Sequence, residues 1–352
     1  MAISNIVESA VIKAHSDNVT YDQAQLVIEQ DKDMMFDKTF PVISVTQEAG
    51  TAWVLTNSPK HMSTNAMITP RSTPNEIGAE YKSVSYTTDR YALRYFVPDD
   101  DVERYGNGAL LTQLGTTEVT NALRWHLEDK FIKTFLDPRT KWKTKFTGQA
   151  GATQLTSGKL QHWSDGAVDI LKDIKGMVET NLKYAGKLNM NRAMISKDLW
   201  DVVCENPDVY NRMQANTDTP KTDMGLQQAF ATLIGVEQLN VIDDVEATGL
   251  DKVRDVTDYA TYSPDFEFKR TLKGLFAMYH YEPTATLQSK CAGVVINVRN
   301  RRINYNNGVP IFKTYRHADE GIEGTWIDGR IRAGFHMSNP AGLILATGLL
   351  PG

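Results

Sequence analysis

The chain has 352 residues, 41% hydrophobic and 23% charged, a globular composition long enough for about two domains. Its net charge of −5 gives no electrostatic case for wrapping nucleic acid, which needs a lysine and arginine face. Its start, Met1 to Glu8, carries no basic segment followed by an apolar run, and no stretch reaches the ~20 apolar residues of a membrane span. The expectation is a soluble product made in the cytoplasm. Cys204 and Cys291 each sit in an apolar stretch and read as buried thiols in a reducing compartment, with a disulfide between them the lesser alternative.

The first forty residues read as an arm, with a short helix over Tyr21 to Gln30 and scattered apolar residues through Phe36 and Phe40. Such a segment suits lying on another surface better than folding alone. Val42 to Val54 predicts a strand. Asn57 to Asn75 holds Pro59, Pro70 and Pro74, which break regular structure and favour extended backbone. Glu80 to Val97 alternates again, with Tyr91, Leu93, Tyr95 and Val97 on one face. Residues 42–97 therefore read as a long two-stranded excursion with an irregular tip. A ribbon of that kind is marginal alone in water and predicts a partner surface.

Asp99 to Asp101 opens a helical region. From Leu110 to Phe135, the spacing of Leu111, Leu114, Ala122, Trp125, Ile132 and Phe135 approximates one helical stripe, predicting a helix of about 25 residues. Residues 139–162 are polar and glycine-bearing. A helix over Asp165 to Tyr184 is capped by Gly186. Then come a strand at Arg192 to Ser196, a helix capped by Ser196 and running through Val203, a short helix from Pro207, and one capped by Asp223 and ended by Gly235. Leu239 to Ile242 is a buried-looking strand, and Asp243 to Asp265 is acidic and irregular. Strands follow at Leu275 to Tyr281, Gly293 to Val298, Gly308 to Tyr315 (after an Asn307-Gly308 turn), Thr325 to Phe335 and Ala341 to Leu349.

No chemistry-bearing motif survives inspection. Gly151 to Leu160 has six residues between its glycines and Leu160 after Lys159, so it fails as a phosphate loop. The seven histidines make no compact metal spacing, and no nucleophile elbow or calcium loop occurs. Arg299, Arg301 and Arg302 suit either a solvated turn or contact with phosphates or carboxylates. No catalytic, cofactor-binding or metal-binding residue is expected, and the chain does not read as an enzyme.

The order of the parts carries a resemblance. After the arm and proline-bearing loop comes Arg94-Tyr95-Phe96-Val97-Pro98-Asp99-Asp100, then the long helix through Trp125 and Glu128. Trp163-Ser164-Asp165, Asn191 to Trp200, Asn206-Pro207-Asp208-Val209 and Phe230 to Val236 follow in order. This ordered set resembles the major capsid protein family of tailed bacteriophages, whose fold is shared with herpesvirus shells and encapsulins. The similarity is clearest over 90–242. It implies a mixed α/β (α+β) fold with an arm at 1–41, an extended loop at 42–97, and a peripheral domain at 98–185 holding a spine helix at about 110–136. An axial domain at 186–335 and a return segment at 336–352 complete it. The segments 139–162 and 243–265 match nothing in that pattern.

The resemblance implies self-assembly into pentamers and hexamers of an icosahedral shell enclosing double-stranded phage DNA without sequence-specific binding. Scaffolding, portal and decoration proteins would be further partners, the virion capsid the location, and the host bacterial cytoplasm the place of synthesis. Trp53, Lys60, His61 and Arg71 are the expected loop contacts between subunits, and Trp125 and Phe131 the expected packing residues of the spine helix. The rivals are an encapsulin-type compartment and another virion protein such as a tail-tube subunit, which would lack a 25-residue helix.

Overall fold

The computed structural model describes residues 34–57, 80–105, 108–137, 139–149, 158–166, 168–185, 188–214, 222–243, 245–248, 267–270, 272–287, 289–298, 310–319 and 322–351. The expected helix at Tyr21 to Gln30, the loop tip with Lys60, His61 and Arg71, the glycine-bearing stretch 151–157, the Arg299 cluster and the Asn307-Gly308 turn lie outside them.

In chain order the strands are β1 (Val42–Val45), β2 (Ala49–Asn57), β3 (Glu80–Thr87), β4 (Asp89–Pro98), β5 (Thr144–Gly148), β6 (Lys159–Leu160), β7 (Arg192–Ser196), β8 (Gln238–Ile242), β9 (Val245–Thr248), β10 (Glu267–Arg270), β11 (Phe276–Tyr279), β12 (Val294–Val298), β13 (Ile311–Asp319), β14 (Ile322–His336) and β15 (Leu343–Thr347). Between them lie helices, of which the longest is a spine helix at Gly108–Phe131 that ends in a single π turn, Ile132–Leu136. The fold is mixed α/β, as expected.

The chain divides into two compact units, 1–137 with 282–339, and 138–281 with 340–352. This differs from the linear expectation of a boundary at 185/186. The reason is strand pairing at long range: β14 pairs with β4 over ten residues and with β12 over four, which binds 294–336 to the region of the spine helix. The carboxy-terminal segment also differs. β15 does not return to the unit of the spine helix but is inserted between β5 and β11 in the second unit.

In the first unit, β12, β13 and β4 all pair with β14, and β1 adds to β12 in parallel. The spine helix lies on one face of this sheet. Contact is close because glycines face it: a Cβ on Gly115 would meet Tyr95 and Ile327, and one on Gly329 would meet Val119 and Phe312. The extended loop is shorter than the sequence suggests. β1 and β4 belong to the main sheet, so only β2 and β3 form the free antiparallel hairpin, with a register shift near Leu55. The alternation over 42–54 and over 80–97 hides a break in each, at 46–48 and at Thr88.

In the second unit, a six-stranded sheet of order β6-β5-β15-β11-β7-β8 carries the core. Trp163, Trp200, Phe230, Phe276 and Met177 are buried in one cluster with helix Ile170–Ala185 and helix Asp223–Ile234. Two capping expectations fail for the same reason. The Ser196 hydroxyl accepts the N–H of Leu275 instead of capping its helix. Asp223 accepts the indole N–H of Trp200, and Thr222 becomes the cap. Tertiary donors outcompete the local ones. Gly235, at φ 77°, ends that helix as expected.

His336, at the end of β14, is buried in the first unit, and burial pushes its imidazole below the ordinary value of 6.5. The folded chain then refuses a proton that the unfolded chain accepts, so stability falls as pH drops below 6.5 toward the folded-state value. Thermal unfolding at about pH 7.5 and about pH 5.5 should show a larger acid-induced drop for the wild type than for His336→Gln. Equal drops would contradict this assignment.

Candidate assembly surface

Of the arm residues that are described, Met34, Met35, Phe36, Thr39 and Phe40 are buried although they precede the first strand. Their short helix, Met35–Thr39, begins against the spine helix. The Glu128 carboxylate, itself buried, accepts the backbone N–H of Met35 at 2.7 Å and of Phe36 at 3.1 Å. It thus satisfies two of the donors that a helix start leaves open. One turn earlier on the spine helix, buried Arg124 pairs with Asp37 at 2.8 Å and lies 5.8 Å from the ring centre of Phe36. A phenylalanine cluster completes the dock: Phe40 meets Phe131 and Phe135 at 5.1 and 5.0 Å, and Phe335 meets Phe131 at 5.7 Å.

The buried stripe of the spine helix is therefore Gly115, Thr116, Val119, Thr120, Leu123, Arg124, Leu127, Glu128 and Phe131. Phe131 is fully buried, whereas Trp125 is 48% exposed, as are Leu110 and Leu114 to a similar degree. The sequence reading followed the most apolar residues, whereas this helix buries polar ones that have partners and leaves an apolar row outside.

The hairpin is anchored at its root. Glu48 is the centre of the root: its carbonyl accepts the N–H and the hydroxyl of Thr88, both at 2.9 Å. Its carboxylate takes Arg90 of β4 at 2.7 Å and also Arg332 of β14. The hydrogen bond from Arg90 holds the Glu48 carboxyl below the ordinary value, against slight desolvation. Gly334 admits this approach, since a Cβ there would lie 2.6 Å from the Thr87 carbonyl. Ala52 and Tyr86 bury the root against Cys291, Val294 and Ile296. Beyond it, Lys82 to Ser85 are exposed, including Val84 at 36%. Trp53 lies on β2 opposite Ser83.

Nothing in this geometry assembles a reactive centre. Among the described residues, no group of three or more His, Cys, Asp or Glu is arranged to hold a metal, and no helix is long and apolar enough to cross a membrane. Both cysteines are free thiols, pushed up by burial to about 11 at Cys204 and about 12 at Cys291. A thiol so raised is a poor nucleophile at neutral pH.

No family model matches the chain, and no curated protein matches it. Solved structures do. A phage-related protein from Bordetella bronchiseptica RB50 aligns with a TM-score of 0.65 at 15% identity, covering 95% of this chain and 98% of that one. At that similarity the two share a fold. The mature capsid of bacteriophage PhiM1 aligns at 0.46 and 12% identity, covering 87% and 84%. A virus-like particle from Pyrococcus furiosus aligns at 0.42 and 9% identity, covering 92% and 98%.

Glu128→Ala should leave two buried N–H groups without an acceptor, at about 1–3 kcal/mol for each unsatisfied donor. Denaturant unfolding should show that loss, and limited proteolysis near residues 34–40 should quicken. Unchanged stability and an equally protected arm would contradict the capping role.

Proposed function

We propose that this chain is a major capsid protein, the head protein of a tailed bacteriophage, which assembles as pentamers and hexamers into an icosahedral shell around double-stranded DNA. The observation that carries this reading is the hairpin of β2 and β3. It leaves the main sheet at Glu48 and Thr88, and its exposed length has only itself as partner among the described residues. Two strands alone are marginal in water, so this element makes physical sense when neighbouring copies cover it. The exposed apolar side chains of Leu114 and Trp125, each 48% exposed, support the same reading.

In this proposal the first unit is the peripheral domain with its arm and loop, and the second is the axial domain. Trp53, Lys60, His61 and Arg71 of the loop contact adjacent subunits. The DNA is confined by the closed shell, which an acidic chain suits better than site-by-site binding. Scaffolding, portal and decoration proteins would join as separate chains, and the virion is the place of action.

Electron microscopy of the purified protein, alone and coexpressed with its neighbouring gene products, tests this. Closed shells, or pentamers and hexamers, are expected. A monodisperse monomer or dimer under both conditions would overturn the proposal. Shells that load a peptide-tagged cargo protein, and no DNA, would favour an encapsulin-type compartment.

A further inference from the structure

The main sheet of the first unit has a second face, opposite the spine helix, with a composition that the chain as a whole does not have. Side chains alternate along a strand. Tyr95, Ile327, Phe312 and Gly329 face the spine helix, so their neighbours in sequence face away. The register then sets the far face in rows. Arg90 lies opposite Arg332, and Arg330 lies beside Ala92. Arg94, Asp328 and Lys313 form one row across β4, β14 and β13, and Phe96, Trp326 and Tyr315 form the next. Five cations stand there against Asp328 and the neighbouring Glu48, on a chain of net charge −5. The side chains of Arg90, Arg330 and Arg332 are 66%, 55% and 47% exposed, and Arg94 and Lys313 are exposed too. The rings of Phe96 and Trp326 lie 4.6 Å apart at a tilt of 44°, and Tyr315 beside them is 37% exposed.

We propose that this arginine and aromatic face is a docking surface for a second copy of this chain, which presents its acidic turn at Asp100, Asp101 and Glu103. This rests on the assembly reading above. Three observations select a protein partner over a nucleic acid. Four of the five cations are arginine, and the row beyond them is aromatic, the composition that concentrates binding energy between proteins. Asp328, 2% exposed, sits in the centre and is bound by Arg330, and Glu48 sits between Arg90 and Arg332. A polyphosphate would be repelled at both carboxylates, whereas discrete side chains can pair around them. Charge complementarity then points to this chain itself: the remainder of an acidic protein is more acidic still, and helix Asp99–Tyr105 opens with three aspartates, Asp100 and Glu103 exposed.

A charge swap tests this with the full chain. Arg94→Glu with Lys313→Glu should abolish assembly in sedimentation velocity, and Asp100→Lys with Glu103→Lys should do the same. The chain carrying all four should assemble again. All of these positions are exposed; where a reversal disturbs folding by circular dichroism, Arg94→Gln with Lys313→Gln should still raise the critical assembly concentration at least about tenfold. Assembly of the face-reversed chain at the wild-type concentration would overturn the inference while leaving the capsid reading intact. So would failure of the four-fold variant to recover. Loss of binding to a 30-base-pair DNA duplex on face reversal, with assembly unchanged, would assign the face to nucleic acid instead. A wild-type chain that never assembles contradicts the capsid reading beneath the inference.

Discussion

The first unit depends on a buried carboxylate. Glu128 sits inside a long helix where a charge is costly unless it is paired or hydrogen-bonded. Its partners are two backbone N–H groups of a segment some ninety residues earlier. Arg124, one turn before, is neutralised by Asp37 of the same segment. The spine helix therefore cannot bury its inner stripe without the arm, and the arm helix, at five residues, cannot exist without the spine. Phe40, Phe131, Phe135 and Phe335 close the joint with apolar area.

The same unit that is over-determined at this joint is under-satisfied elsewhere. The hairpin is held firmly at its root by Glu48, Thr88, Arg90 and Arg332, and then runs on with exposed residues on a two-stranded ribbon. A rigid root with an unsupported length is the arrangement expected of an element that reaches out at a set angle. The arginine face of the sheet is likewise exposed although Arg90, Arg330 and Arg332 are paired, and Leu114 and Trp125 on the spine helix are exposed too. Together they are the surfaces on which the assembly proposal rests.

Much of the architecture was legible in the sequence. The spine helix, the alternation of the hairpin strands and the ordered helices and strands from Arg192 to Ile242 all follow from periodicity and punctuation. What escaped is tertiary. The buried stripe of the spine helix is not legible in the sequence because Thr116, Thr120, Arg124 and Glu128 do not look like core residues until their partners are known. Trp125 looks like a packing residue for the converse reason. Ser196 and Asp223 look like helix caps but serve Leu275 and Trp200. The two-unit division escaped as well, because nothing in 322–336 announces that a fifteen-residue strand will gather β4, β12 and β13 around itself. One signal was available: in β14 the residues at 326, 328, 330 and 332 alternate with Ile327, Gly329 and Ile331, which already separates a charged face from a packed one.

The central claim is that the hairpin is completed by neighbouring copies. Hydrogen exchange on residues 49–57 and 80–87, compared between dissociated subunits and assembled particles, tests it most directly. The account predicts rapid exchange beyond the root in free subunits and strong protection in particles, while the root near Thr88 is protected in both. Equal protection of the whole hairpin in free subunits would contradict it, because the ribbon would then be satisfied within a single chain.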